Sequence, residues 1–323
     1  MYGFNTFHEK IMEGLIGNVR RENPPHAYIF EGEAGLNLSE SARLFAVTLA
    51  CPNDNPPCNS CNSCMSAKGG NNPDIIFVVP EEKKKTIGVD RIRDLSNDAY
   101  IKPFLAKRKI YIFPDSSCLT EQAQNALLKL IEEPPEYMVF IFITENSELL
   151  LETIRSRCVK VRFPLLSNEK IGEYIDRVSP NDKRRGFLIN FSGGNPGNVD
   201  EILANEKFDY LREESLKKLE SLVSERRLSA YTVSDFLEEN KDSAELILSF
   251  FEGFVRDILF IRSGVENLIK NSDLKEELLR AAGLLSDKDL ADSLEKIFKA
   301  KTMLKRYVNV RAIALWLKFS VKK

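Results

Sequence analysis

The sequence predicts an α/β domain built on a parallel sheet, followed by a small helical domain and then an all-helical domain. Short apolar runs alternate with helical patterns in the first half of the 323-residue chain, as in doubly wound α/β proteins. All 14 prolines lie at or before Pro196, so the strongest helix breaker is absent from the last part of the chain. Apolar residues recur there at helical spacing, for example Ile247, Phe251, Phe254 and Ile258.

The strands of the sheet are expected in five runs rich in β-branched and aromatic residues. These runs are Ala27–Phe30, Ile75–Val79, Ile110–Phe113, Val139–Thr144 and Val159–Phe163. Each run is apolar almost throughout, which is typical of strands buried on both faces of a sheet. The expected domains are residues 1–166 (α/β), 167–207 (a small helical lid) and 208–323 (all helical).

Composition excludes several classes of protein. The net charge is −2, so any contact with nucleic acid has to be local or shared with a partner. The most apolar run, Met138 to Ile143, is far too short to span a bilayer. Charged residues interrupt the N-terminal apolar residues, unlike in a signal peptide. We therefore expect a cytoplasmic protein without membrane contact.

The segment after the first strand has the frame of a phosphate-binding loop without its charge. The template G-x-x-x-x-G-K-[ST] surrounds phosphates with backbone amides and a lysine. Gly32 and Ser39 match it, but Asn37 replaces the second glycine and Leu38 replaces the lysine; Gly35 lies between them. Because leucine cannot neutralise phosphate, we interpret the loop as a structural turn and expect no ATP in this chain's own site. Weak nucleotide binding through backbone amides is the alternative.

Four cysteines are spaced like the ligands of a metal ion. They are Cys51, Cys58, Cys61 and Cys64. Two C-x-x-C steps and a cysteine at the end of the preceding helix suit a structural zinc site, in an insert of about residues 51–64. Iron–sulfur ligation is less consistent with the spacing because no fourth cysteine follows Cys64 closely. Free thiols are the second alternative, and base reading is not expected because the insert has no arginine or aromatic residue.

Two further stretches indicate a family. They are KIYIFPDSSCLTEQAQNALLKLIEEPP, residues 109–135, and ITENSELLLETIRSRC, residues 143–158. Together with HAYIFEG and the four-cysteine insert, they closely resemble the bacterial clamp-loader ATPases, the AAA+ subunits of the DNA polymerase III holoenzyme that place the sliding clamp on primed DNA. The resemblance implies an AAA+ P-loop-type α/β domain with a lid, and a helical collar over residues 208–323 that joins the subunits.

Within this family, three missing charges predict a subunit that does not hydrolyse ATP. The acidic pair of the family aligns with Pro114 and Asp115, the lid arginine falls near Asn198, and Leu38 replaces the phosphate lysine. Hydrolysis depends on such charges, so the chain is expected not to be an enzyme by itself. The implied partners are gamma/tau and delta subunits, with the sliding clamp and primed DNA reached through the complex. A hydrolysing gamma/tau-type subunit that uses Lys68 or Lys107 is the alternative.

The resemblance also gives a role to the triplet Ser156-Arg157-Cys158. In the family this triplet presents an arginine to the ATP of the neighbouring subunit. Arg157 would then act as an arginine finger in trans, with Ser156 and Cys158 fixing its backbone. The alternative is a surface cation at a helix end. Thr144 falls at the sensor-1 position of the family, and we expect it to be structural.

Overall fold

The computed structural model describes residues 7–21, 24–224, 229–283, 286–306 and 308–320. The chain divides into two compact units, residues 1–166 and 167–323. Among the described residues, no helix combines the length and the hydrophobicity that crossing a membrane requires.

The first unit is built around a parallel sheet of five strands in the order β2-β3-β4-β1-β5. The strands are β1 Ala27–Glu31, β2 Ile75–Phe77, β3 Lys109–Phe113, β4 Met138–Thr144 and β5 Val159–Arg162. The described helices of the unit are α1 Glu9–Arg20, α2 Leu38–Ala50, α3 Asn62–Lys68, α4 Val89–Ala99, α5 Glu121–Glu132 and α6 Glu152–Arg155. Strands and helices alternate, as the sequence predicted.

Helices cover both faces of this sheet. On one face, Tyr28 and Phe30 of β1 pack in a core with residues of α1 and α2. On the other face, Ala27 and Ile29 pack with residues of α4 and α5. This alternation follows from the two-residue period of a strand, which sends successive side chains to opposite faces. The α/β architecture with a doubly covered sheet is thereby confirmed.

One expectation about the strands is wrong at the edges of the sheet. The described residues of β1, β3 and β4 are buried almost throughout, but three of the four residues of β5 are exposed and β2 is only half-buried. The physical reason is position, because β2 and β5 lie at the two edges and are paired on one side only. Apolar composition alone does not distinguish an edge strand from a central one.

The second unit is helical in all its described secondary structure. Its described helices are α7 Asn168–Val178, α8 Arg185–Ser192, α9 Pro196–Ala204, α10 Phe208–Ser224, α11 Ser229–Glu239, α12 Ala244–Arg262, α13 Lys275–Ala282, α14 Asp287–Lys305 and α15 Val310–Ser320. A helical C-terminal part is therefore confirmed. The division of this part into a lid (167–207) and a collar (208–323) stays a prediction.

Candidate functional site

The glycine loop after β1 is fixed by a backbone hydrogen bond and by close packing at Gly32. The backbone N–H of Gly32 donates to the carbonyl of Thr144 at 3.1 Å. A Cβ at Gly32 would lie 2.8 Å from the carbonyl oxygen of Phe163, so only glycine fits here. Gly35 has a φ of +89°, which favours glycine. Both glycines are therefore explained by the geometry of the turn, without a phosphate.

The residue at the lysine position points into the protein. Leu38, the first residue of α2, is 7 % exposed and belongs to the core that contains Phe30. Asn37, just before it, adopts the left-handed conformation with φ 57° and ψ 40°, where asparagine is tolerated and glycine is favoured. Ser39 is exposed. The loop thus keeps the backbone of a strand–turn–helix unit, while its one diagnostic side chain is part of the core.

The neighbouring positions that would handle magnesium and water are engaged in local turns. Asp115 follows β3 after one residue, and its carboxylate accepts hydrogen bonds from the N–H and hydroxyl of Ser117 and from the thiol of Cys118. Burial alone would raise the pKa of Asp115, but the hydrogen bonds from Ser117 and Cys118 outweigh burial and lower it. Thr144 is 4 % exposed, and its hydroxyl bonds to the backbone of Asn146.

An acidic side chain at this end of the sheet was missed in the sequence. Glu31, the last residue of β1, is 2.7 Å from the ammonium of Lys160 and accepts a hydrogen bond from the backbone of Ser147. Burial would raise the pKa of Glu31, but these hydrogen bonds hold it below its usual range. The sequence signal for this pair was the alternation of valine with Lys160 and Arg162 along β5.

Arg157 lies on the surface after α6. Its guanidinium donates to the carbonyl of Thr153 at 2.8 Å and to the hydroxyl of Ser156 at 3.3 Å. The other end nitrogen is 2.8 Å from Glu132, the last residue of α5. The side chain is 39 % exposed. The sequence did not identify Glu132 as a partner, although the two glutamates that end the NALLKLIEEPP helix were available as a signal.

The residues beside Arg157 differ in exposure. Ser156 is exposed, and its hydroxyl donates to the carbonyl of Thr153. Cys158 is half-buried against the core on the α5 face of the sheet, and burial raises the pKa of its thiol to about 12. The thiol therefore stays protonated at neutral pH and is a poor nucleophile. Arg155 pairs with Glu148 at 2.6 Å.

The four predicted metal ligands converge on one point. The sulfurs of Cys51, Cys58, Cys61 and Cys64 all lie within 4.8 Å of one another, and those of Cys58 and Cys64 are 4.0 Å apart. Tetrahedral zinc thiolates have sulfurs about 3.8 Å apart, from a Zn–S distance of about 2.3 Å. None of the six cysteines forms a disulfide. The cluster therefore fits a tetrahedral metal ion.

Local structure explains this convergence. Cys51 directly follows α2, and Cys61 precedes α3 as its N-cap, accepting the backbone N–H of Cys64 at 3.4 Å. Backbone hydrogen bonds from Ser60 and Cys61 lower the pKa of Cys58 to about 5, whereas burial raises the pKa values of Cys51 and Cys64. A bound cation would favour the thiolate at all four positions.

The sheet order, the helices on both faces and the glycine loop after β1 define a doubly wound α/β domain with a strand–turn–helix loop after its first strand. Two family models match the chain. The model described as DNA polymerase III, delta subunit, matches residues 7–167, and the model of the C-terminal part of this subunit matches residues 206–315. The chain belongs to the DNA polymerase III delta subunit family.

The chain is also similar to individual proteins. The chain is 28 % identical over 316 residues to the DNA polymerase III subunit delta′ of Bacillus subtilis, covering 96 % of this chain and 94 % of that protein. It is 35 % identical over 192 residues to the gamma/tau subunit of Mycobacterium tuberculosis, covering 55 % of this chain and 33 % of that protein. A crystal structure of a gamma-subunit-related protein from Thermotoga maritima aligns with a TM-score of 0.48 at 20 % identity, over 96 % of this chain and 98 % of that one.

Proposed function

We propose that this chain is the delta-prime subunit of a DNA polymerase III clamp loader and does not hydrolyse ATP itself. In this role it supports ATP-dependent loading of the sliding clamp onto primed DNA and supplies Arg157 to the ATP site of a neighbouring gamma/tau subunit. The observation that carries the proposal is the contrast between Leu38, which is buried in the core, and Arg157, which is charged and exposed.

The chain's own nucleotide site lacks the charges that phosphoryl transfer requires. Catalysis of this reaction consists mainly of positioning and of stabilising charge on phosphate oxygens. Leu38 has no charge to offer, and Pro114 replaces one carboxylate of the family's acidic pair. Asn198, at the lid position, uses its side-chain amide to donate to the carbonyl of Ser192 at 3.0 Å. Loss of all three charges supports a subunit that is not an enzyme by itself.

Arg157 has the chemistry of a finger. A guanidinium is permanently charged and can donate two parallel hydrogen bonds to phosphate oxygens. Its present partner is Glu132, a carboxylate that is itself 47 % exposed. Only one guanidinium nitrogen contacts Glu132, whereas a phosphate of a neighbouring subunit could accept two hydrogen bonds and carries more negative charge. The carbonyl of Thr153 and the hydroxyl of Ser156, both close to Arg157 in the chain, accept hydrogen bonds from the guanidinium and help to fix its position.

The cysteine insert binds one zinc ion in this proposal. Cys51, Cys58, Cys61 and Cys64 would hold it as thiolates, which leaves no coordination position for a substrate. The ion would join the end of α2 to the start of α3 and stabilise the segment before β2. The apolar packing there is a small core of Val47, Ala67, the four cysteines and partly buried Ile75, so metal binding would supply much of the local folding free energy.

The C-terminal helices join the subunits in this proposal. The sequence of α12 holds Phe250, Phe251, Phe254 and Phe260, an aromatic excess that by itself predicts an interface, but most of these side chains are buried within the chain. Phe250, Phe251 and Phe254 are 2 %, 4 % and 0 % exposed, because they pack within this chain, partly against Phe208. Phe298 on α14 is instead 70 % exposed, which makes it a better candidate for a partner contact.

Two measurements test the proposal. Co-purification of this chain with a gamma/tau subunit and a delta subunit, followed by a clamp-loading assay, should give an active complex that is inactive without this chain. Labelled ATP should not bind the isolated chain. Micromolar ATP binding and hydrolysis by the isolated chain would instead favour a gamma/tau-type subunit. The observation behind this alternative is the 35 % identity to such a protein over 192 residues.

A further inference from the structure

The second unit contains a polar cavity that the proposed function does not use. Its volume is about 230 Å³, and it lies between α12 and the segment just before α13. Phe191, Phe250 and Gly253 form an apolar part of its wall. Arg256 and Lys270 bring two positive charges to the same wall. The volume is below that of typical pockets for drug-sized ligands, roughly 300–1,000 Å³.

The buried aspartate behind this cavity is already neutralised. Asp257 is 0 % exposed. One of its carboxylate oxygens accepts the backbone N–H groups of Lys270 and Asn271 at 3.1 and 2.8 Å and the amide of Asn271 at 2.7 Å. The other accepts a guanidinium N–H of Arg256 at 2.9 Å. Asp257 therefore has a counter-ion and four hydrogen bonds, and it fixes the wall that carries Lys270.

The other acidic group at the cavity is paired as well. Glu252 accepts a hydrogen bond from the ammonium of Lys301 at 2.6 Å. Three cations, Arg256, Lys270 and Lys301, thus face two carboxylates, Glu252 and Asp257. The cluster has one positive charge in excess.

Two donors at the cavity have no acceptor in the described part of the chain. The ammonium of half-buried Lys270 makes neither a hydrogen bond nor an ion pair among the described residues, and the Nε–H of Arg256 is buried without a partner. Burial, together with the nearby charge of Arg256, lowers the pKa of Lys270. The Nε–H of Arg256 is a buried donor without an acceptor in the described part of the chain, which is costly, and the ammonium of half-buried Lys270 lies at the cavity wall. An oxyanion in the cavity would accept from the Lys270 ammonium and balance the excess charge.

We propose that this cavity is a binding site for an oxyanion group, either a carboxylate or a phosphate. The ammonium of Lys270 would form the ion pair, and Arg256 would add positive charge to the same wall. Phe191 and Phe250 would contact the carbon atoms or the apolar side of the molecule that carries the group. The site lies entirely within the second unit and is independent of Arg157 and of the phosphate loop.

The test is a titration of the isotope-labelled full chain with sodium phosphate and, separately, with sodium acetate, at constant ionic strength maintained with sodium chloride. We expect saturable shifts of the amide signals of Gly253 and Asn271 with at least one of the two anions. Lys270→Gln should weaken this binding about tenfold or more, because it removes a charged hydrogen bond. Lys275→Gln is the matched control, since Lys275 pairs with exposed Glu266 and does not line the cavity.

A second measurement does not depend on the variant folding. The signal of the side-chain carbon next to the Lys270 ammonium reports its pKa, which should rise when the anion binds. A response to acetate alone assigns a carboxylate site, and a response to phosphate alone assigns a phosphate site. If neither anion gives more than chloride does, or if Lys270→Gln responds as the unmodified chain does, the proposed site is wrong.

Discussion

The phosphate loop and the arginine segment are the two parts of this chain that correspond to a nucleotide site, and they differ in where the decisive side chain lies. Leu38, the first residue of α2, is buried in the core, whereas Arg157 lies at the surface with its charge accessible. The loop has become part of what holds the domain together. The arginine contributes little to the stability of the fold. In our proposal its role is to contact the ATP of a neighbouring subunit.

Energies sharpen the contrast. Full burial of a leucine side chain stabilises a protein by roughly 1.5–3 kcal/mol, whereas an exposed ion pair contributes about 0–1 kcal/mol. Substitutions in the loop should therefore change stability more than chemistry. Substitutions at Arg157 should change the activity of the assembled complex and leave stability almost unaffected.

The largest effect is expected from substitution of Arg157, which tests the difference between the two regions most directly. Arg157→Ala should leave folding and metal content unchanged but lower the ATPase activity of the complex with a gamma/tau partner. Arginine fingers contribute about 10³–10⁵ in rate at the site they serve, and the loss for the whole complex should be smaller because only one of its sites would face this chain. Steady-state ATPase and clamp-loading assays measure the effect.

Two variants control that experiment. Arg157→Lys should restore little activity, because an ammonium cannot make the two-pronged contact. Arg155→Ala removes a neighbouring arginine that pairs with Glu148, and it should cost little. Equal losses for Arg155→Ala and Arg157→Ala would mean that Arg157 is an ordinary surface cation.

The loop side of the comparison is tested by Leu38→Lys. The new lysine would have to enter the core or distort the start of α2, so the free energy of unfolding should fall by roughly 2–4 kcal/mol. ATP hydrolysis should not appear, because one carboxylate of the acidic pair is still missing. Denaturant unfolding and an ATPase assay of the isolated chain measure both effects. A stable variant that hydrolyses ATP would contradict the interpretation of the loop as a structural turn.

The metal site is a third region for comparison. Loss of its metal should reduce stability only locally, because the cysteines have a small core of their own. The purified chain should contain one zinc ion, and Cys61→Ser should lose it. Amide hydrogen exchange should then become faster in residues 51–72 but not in β3 or β4, whose core is separate from the cysteine cluster. Cys118→Ser, outside the cluster, should retain the metal. Metal analysis that finds iron, or no metal under reducing conditions, would exclude the zinc assignment.

The smallest expected effect concerns Glu31 beside the loop. The folded-state pKa of Glu31 lies below the usual value of about 4.3, so the contribution of Glu31 to stability is complete above that value and is lost as the pH falls through the folded-state pKa. Glu31→Gln should therefore make stability less dependent on pH between about pH 5 and pH 3, by about 1 kcal/mol or less. Urea unfolding at several pH values measures this difference; identical slopes would show that the ion pair with Lys160 has no net effect.

The sequence predicted much of the fold because its strands are short, apolar and clearly bounded. The runs at Ala27, Ile110 and Val139 became central strands, and the cysteine spacing brought four sulfurs together. The burial of Phe250 and Phe254 was not predicted, because a helical stripe does not reveal how many other helices surround it. The pairs Glu31–Lys160 and Glu132–Arg157 join residues far apart in the chain, and spacing within one segment carries no information about them.

The contact between Arg157 and Glu132 also bears on how fast the arginine could change partners. Since both side chains are partly open to water, breaking the pair should cost no more than about 1 kcal/mol, or roughly a fivefold change in an equilibrium constant. Rotation of exposed side chains takes picoseconds to nanoseconds. Glu132 would therefore act as an exchangeable partner of the guanidinium. Release from it would require neither unfolding of α5 nor movement of the sheet.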